Sequence, residues 1–275
     1  MKPLAKACLL AMAATILPAA GAFAAEPAFK TVTPGQLTVA YRTDDKPVSF
    51  IDESGKPTGF LIDFENAIGK ELGIKIEYVA TDFASLLPSI RNNRYDTAAF
   101  QTLETPERLA VVDFTTPLTY SQARLVSRKN APIDKVDGAS GKTVAITRGS
   151  ALIPLLQDLA PGVTVREFPN IASSLNALIA GQVDGLFTGL GTASHLVKDH
   201  ADELTASQIV TSGTSAFPVS KDNPELLKAL NAEIDKLMKD GTYTKLFVKW
   251  MPADVEIPDE LFADYPGMPH PEDVK

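Results

Sequence analysis

The chain has 275 residues, 45% of them hydrophobic, and a formal net charge of −8. That acidic balance disfavours nucleic acid and anionic membrane surfaces as partners and fits a well-solvated exterior. A single cysteine, Cys8, excludes an internal disulfide framework.

The opening run MKPLAKACLLAMAATILPAAGAFAAEP sets Lys2 and Lys6 ahead of an apolar stretch that ends in Ala22-Phe23-Ala24. This is the pattern of a secretory signal peptide, residues 1–24, cut after Ala24. Cys8 lies too near its start to be a lipid-attachment site, so the mature chain is expected to lack thiol chemistry. Loss of the two leader lysines takes the net charge from −8 to −10. No second apolar run is long enough to cross a bilayer, and a soluble exported protein is expected.

Leu37 to Tyr41 and Ile74 to Val79 read as strands, the second with alternation at Ile74, Ile76 and Tyr78. Between them Leu61, Phe64, Ala67, Ile68 and Leu72 fall on one helical face, with Gly73 as the stop. This order predicts a parallel βαβ unit. "FASLLPSIRNNRYDTAAF" predicts a helix, a turn at Asn92-Asn93 and a buried strand Thr97 to Phe100. "SSLNALIAGQVDGLF" echoes it, with Asp184 matching Asp96 and Leu175 and Leu178 matching Leu87 and Ile90.

A polar stretch from Ser127 leads to a strand, Thr143 to Ile146, and a turn "TRGS" that opens a helix, which marks entry into a second α/β lobe. An extended run Ala216 to Ser220 leads back, and Pro224 opens a helix to Lys239 that buries Leu227, Leu230, Ile234, Leu237 and Met238 and stops at Gly241. Two crossings between lobes are what a hinge needs. After Trp250 the chain is acidic and proline-rich, and a surface course without regular elements is expected.

In "TLETPERLAVVDFTTPLTYSQ", Arg108 falls in the first turn of a short helix opened by Pro106 and capped by Thr105. Unpaired N–H groups, a positive dipole end and a guanidinium together make an anion seat. The residues alone equally allow a surface arginine paired with Glu107 or Asp113.

Six segments resemble, in order and spacing, the periplasmic solute-binding proteins of amino-acid ABC uptake systems, the polar amino-acid type. They are "DESGKPTGFLIDFENAIGKELGIKIEYV", "LLPSIRNNRYDTAAF", "TPERLAVVDFTTP", "SGKTVAITRGSA", "LIAGQVDGLF" and "NPELLKALNAEIDKLMKDGTYTKLFVKWM". The resemblance implies a two-lobed α/β periplasmic-binding-protein fold of type II, each lobe a mostly parallel sheet flanked by helices and joined by two hinge crossovers. Lobe 1 would comprise residues 25–127 and 216–250, lobe 2 residues 128–215, and the tail residues 251–275. The family implies capture of a small solute, transient docking on a membrane ABC permease, no cofactor, no metal and no nucleic acid.

By that resemblance Arg108 grips the ligand's carboxylate with a bidentate fork, and Phe83 packs on the ligand's side chain unless it is a plain core phenylalanine. Arg148, Gly149 and Ser150 open the lobe-2 helix that completes the carboxylate site. The departures from the family gather at the pocket. Gly189 stands where an acid commonly binds an α-ammonium. The first loop carries Arg42, Asp45, Lys46 and Val48 in place of an acid, an aromatic, a proline and a phenylalanine. Asp44 or Asp45 then becomes a candidate replacement acid, and Arg42 or Lys46 a candidate site for a second anionic group. Gln101, Thr102 and Leu103 replace small hydroxyl residues, with Thr102 the best remaining hydroxyl. The expected ligand is a small polar solute with a carboxylate: an amino acid or derivative, or a non-amino organic acid. A receptor is expected. A dehydratase-like enzyme on the same fold would need an acid or base in the cleft, for which Glu104 with Lys46 is one candidate pair, while His195, His200 and His270 match no pocket position. A sensor that reports to a membrane kinase would use the same binding chemistry.

Overall fold

The computed structural model describes residues 29–274; the expected signal peptide, residues 1–24, lies outside them. The chain starts with β1 (Gln36–Tyr41), followed by three short antiparallel strands, β2 (Asp44–Asp45), β3 (Ser49–Ile51) and β4 (Pro57–Thr58). Helix α1 (Phe60–Glu71) begins after Gly59, whose φ of 125° suits glycine and whose Cβ would lie 2.5 Å from the Val48 carbonyl oxygen. β5 (Lys75–Ala80) then pairs parallel with β1, as the strand-helix-strand order predicts.

Asp82 caps α2 (Phe83–Arg91) by accepting the Ser85 N–H at 2.9 Å. β6 (Thr97–Ala99) joins the other side of β1 to complete a parallel β5-β1-β6 sheet. β7 (Thr102–Leu103), α3 (Pro106–Leu109) and β8 (Asp113–Phe114) follow, and β9 (Thr119–Arg128) carries the chain across to the second lobe.

There β10 (Thr143–Thr147), α4 (Leu152–Leu159), β11 (Thr164–Phe168), α5 (Ile171–Ile179), β12 (Gly185–Gly189), α6 (Leu190–Asp199) and β13 (Leu204–Ala206) build a β11-β10-β12 parallel set, edged by antiparallel β9. β14 (Val210–Ala216) returns beside β9 with an irregularity between Thr211 and Gly213, and β7 continues the same sheet on its far side. The two crossing strands are thus hydrogen-bonded to each other along the hinge.

Period-2 alternation gives each sheet two buried faces. In lobe 1, Leu37, Val39 and Tyr41 meet α1 and the C-terminal helices, whereas Ala40 meets Leu86 and Ile90 of α2. In lobe 2, Val144, Ile146 and Phe187 pack with Leu156 of α4, and Ala145 and Leu186 with Leu178 of α5 and Ala193 of α6. The sequence echo has a physical counterpart. The Asp96 carboxylate accepts the Thr38 N–H at the start of β1 (2.7 Å), and that of Asp184 accepts the Thr143 N–H at the start of β10 (2.8 Å).

After β15 (Pro218–Val219), Asn223 caps α7 (Pro224–Lys239), whose buried face carries Leu226 rather than Leu227; Leu227 is only partly buried at its margin. Gly241, at φ 83°, turns the chain into α8 (Thr242–Trp250). The tail also departs from the sequence expectation. It forms α9 (Asp259–Asp264) and a closing 3-10 turn, and it inserts Ile257, Leu261, Tyr265 and Met268 into the lobe-1 core. These four apolar residues, spaced among the acids and prolines, supply the burial that the segment's overall polarity conceals.

Candidate functional site

A cleft of about 650 Å³, including its open mouth, lies between the lobes, a volume suited to a small molecule. Arg108 forms part of its wall. Thr105 caps α3 as expected, its hydroxyl oxygen accepting the Arg108 N–H at 3.3 Å, which occupies one of the donors at that short helix start. The guanidinium donates from Nη1 to the Leu103 carbonyl (2.8 Å) and from Nη2 to the Gly149 carbonyl in the opposite lobe (3.0 Å). Asp113 pairs instead with Lys221 at 2.9 Å, and Arg108 has no ion-pair partner among the described residues. Burial pulls its pKa down to about 10, with only the Glu107 charge opposing. A half-buried cation without a counter-ion can hold an anion.

Phe83 lies beneath it, with the guanidinium carbon 5.4 Å from the ring centroid and Phe100 5.6 Å away on the core side. The two readings of Phe83 therefore coexist: one edge extends the core and one face lines the cleft.

Arg42 and Asp45 face the cleft and are each 9% exposed. Arg42 Nη1 donates to Asp45 Oδ2 at 3.3 Å, with Asp44 3.6 Å from Nη2. Asp45 Oδ1 accepts the Thr192 hydroxyl at 2.6 Å, and Asp44 Oδ2 accepts the Ala172 N–H at 3.0 Å, where α5 begins. Both first-loop acids thus reach across to lobe 2. Lys46, exposed above the Phe50 ring at 5.2 Å, does not line the cleft, and Asp45 is the one carboxylate that does among the described residues.

Gln101 and Leu103 line the cleft, but Thr102 does not. Strand alternation turns Thr102 the other way: β7 pairs it with Ala216, and its side chain is fully buried. The same parity removes Arg148. Thr147 faces the cleft, so Arg148 points outward into solvent while its N–H bonds the Phe168 carbonyl. Gly149 does not line the cleft either; its N–H goes to Glu167 (3.3 Å) and its carbonyl to Arg108. Its φ is 76°, and a Cβ there would sit 3.1 Å from Ala84 Cα, so it serves as a close lobe-to-lobe contact. Ser150 does line the cleft, together with Ala151 and Leu152.

Gly189 lies in the wall at the start of α6 with φ −58° and ψ 149°, a conformation open to any residue. Glycine leaves space there. A Cβ would be 3.6 Å from Gln101 Oε1, so the Gln101 carboxamide reaches toward this position from lobe 1.

The sequence reading missed the cleft's rear wall, formed by Ser121 and Gln122 on β9 and Ser212 and Ser215 on β14. The Ser121 and Ser215 hydroxyls bond each other, and Ser212 donates to the Ser121 carbonyl at 2.9 Å. A signal existed: "TYSQ" and "TSGTS" are polar runs within strands that a purely structural sheet would fill with apolar residues. Thr188 and Thr192 were missed as well. Of the acid-base candidates, neither Glu104 nor Lys46 lines the cleft; burial raises the Glu104 carboxyl. His195 sits in a separate crevice, 3.2 Å from Asp199, and burial holds its imidazole below the ordinary range. His270 stacks on Phe262 at 4.0 Å in the tail.

The sequence profile of the bacterial extracellular solute-binding proteins, family 3, matches residues 37–253. The chain belongs to that family. Among solute-binding relatives, the L-cystine-binding protein TcyJ of Escherichia coli K12 is 31% identical over 80% of this chain and 84% of its own. An ancestral arginine-binding protein bound to glutamine superposes with a TM-score of 0.75 at 31% identity, covering 79% of this chain and 98% of that one. The ancestral amino acid-binding protein AncCDT-1, a precursor of cyclohexadienyl dehydratase, gives 0.73 at 29% identity over 79% and 96%. The fold is therefore the two-lobed one of periplasmic amino-acid-binding proteins.

Proposed function

We propose that the protein is an exported periplasmic receptor that closes its lobes on a small carboxylate-bearing solute, an amino acid or derivative, and delivers it to an ABC permease. The observation that carries this reading is the Arg108 guanidinium, desolvated in the cleft wall without a counter-ion and held in place by carbonyls from both lobes. A ligand carboxylate supplies the missing charge, and Phe83 flanks it with an apolar face. For the ammonium of an amino acid, Asp45 is the partner, taking the role that Gly189 leaves unfilled, with the Gln101 carboxamide as a further acceptor. The L-cystine-binding protein TcyJ and the ancestral arginine-binding protein bound to glutamine, both similar to this chain, support the amino-acid class.

Receptor chemistry suits the site better than catalysis. The acid of the cleft, Asp45, is engaged by Arg42 and by the Thr192 hydroxyl, and among the described residues no histidine, lysine or second carboxylate lines the cleft to complete an acid-base pair with it. The protein acts as a monomer, with lobe 1 formed by the chain before β9 and after β14.

A thermal-shift screen against acidic, neutral and basic amino acids and against matched carboxylates lacking the amino group tests the reading. A solute at about a hundred times its Kd adds about 2.7 kcal/mol of stability. Stabilisation by an amino acid supports the full proposal, and stabilisation only by des-amino acids moves the ligand to organic acids. Silence across the panel overturns it.

A further inference from the structure

The family match ends at residue 253, whereas the described residues run on to 274. This added segment is not a loose tail. Ile257, Leu261, Tyr265 and Met268 anchor it in the lobe-1 core. From that anchor it bonds the chain at and beside the crossing strand β9 at three places. The Tyr265 hydroxyl donates to the Pro117 carbonyl (2.7 Å), Asp264 accepts the Tyr120 hydroxyl (2.7 Å), and Asp254 accepts from Arg124 Nη1 (3.3 Å).

These places straddle the hinge. Tyr120 pairs with Thr214 near β7 of lobe 1, whereas Arg124 pairs with Thr188 of lobe 2. Between them lie Ser121 and Gln122, which line the ligand cleft, and Gln122 also borders a second hollow walled by the segment from Asp254 to Glu260. Asp254 reaches further into lobe 2 by accepting the Ser194 hydroxyl of α6 at 2.8 Å, and Met251 Sδ lies against Gly191, 3.3 Å from where a Cβ would be.

We infer that the C-terminal segment, from Met251 to Val274, is a splint across the hinge that biases the solute-free lobes toward the closed arrangement. Opening rotates lobe 2 about the residues between Tyr120 and Arg124, and so carries Arg124 and Ser194 away from Asp254, whose chain neighbours Met251, Val255 and Ile257 pack on the lobe-1 core. The segment therefore opposes opening from behind the cleft without touching the carboxylate seat. In the alternative, the segment is a core filler only, and the Asp254 contacts have no bearing on lobe motion.

Small-angle X-ray scattering and amide hydrogen exchange on the protein without added solute separate the two. Asp254 is about half exposed as a side chain, so Asp254→Ala leaves the core intact. A larger radius of gyration is expected for Asp254→Ala, with exchange faster by on the order of threefold in β9 and α6, since the carboxylate gives up both the exposed ion pair to Arg124 and the Ser194 hydrogen bond. Ser194→Ala, which removes the partner from lobe 2, should shift both readouts in the same direction. Scattering and exchange identical to the parent protein in both variants would overturn the splint. No solute enters the measurement, so its outcome is independent of what the cleft binds.

Discussion

Asp45 in lobe 1 accepts the Thr192 hydroxyl of lobe 2 at 2.6 Å while its other oxygen holds Arg42 at 3.3 Å. One side chain thus joins the first loop, the cleft wall and the start of α6. Thr192→Val removes the cross-lobe bond and keeps the shape. A net hydrogen bond of about 1 kcal/mol predicts roughly a fivefold loss of affinity for the amino acid found in the screen, mostly as faster release. Titration calorimetry with stopped-flow release kinetics checks it; unchanged release would separate Thr192 from closure.

Gly189 is required by space and not by its backbone angles. Gly189→Leu is therefore expected to fold with a near-parental melting midpoint and yet to bind at least about a hundredfold more weakly, because its side chain enters the place that Gln101 occupies. Gly189→Ala, with its Cβ at ordinary contact distance, should stay within a few-fold. Equal loss in both variants would point to backbone strain instead.

The matched aspartates carry different loads. Asp96 accepts two N–H groups, from Val32 (2.8 Å) and Thr38 (2.7 Å), whereas Asp184 accepts one side-chain-directed bond from Thr143. Leaving a buried donor unpaired costs about 1–3 kcal/mol, and of these three donors only the Thr38 N–H is buried. Urea denaturation should show Asp96→Ala destabilised by about 1–3 kcal/mol and Asp184→Ala by less.

Glu65 is fully buried on α1, with neither carboxyl oxygen hydrogen-bonded, and burial raises its pKa from 4.5 to about 8. Below pH 4.5 folded and unfolded chains both hold the proton. Between pH 4.5 and 8 the folded chain binds more protons than the unfolded one, so this residue's contribution to stability falls as pH rises through that window. Glu65→Gln stays neutral, and its advantage over the parent should therefore be greater at pH 8 than at pH 5. A pH-independent difference in unfolding free energy would show that Glu65 remains ionised in the fold.

The lobes were legible in the sequence because period-2 strands and period-3.6 helices both face buried layers: Val39, Phe64 and Val144 are where the pattern puts them. Arg108, Phe83, Gln101 and Gly189 were legible as cleft residues through their motifs. Thr102 and Arg148 were misplaced by one residue of strand parity, a distinction that local sequence does not fix when neighbours of similar polarity alternate. The rear wall of Ser121 and Ser215 joins residues 94 positions apart, and only the pairing of β9 with β14 brings them together. The tail was misjudged because four anchoring side chains among many polar ones leave its average composition polar.

Calorimetric titration of the parent protein, Arg108→Lys and Arg108→Ala with one amino acid that stabilises the parent checks whether Arg108 holds a ligand carboxylate. Arg108→Ala is expected to abolish measurable binding while the protein stays folded. Arg108→Lys, which keeps the charge and loses the fork, should retain a weakened fraction. Undiminished binding by a folded Arg108→Ala would show that the guanidinium holds no part of the ligand.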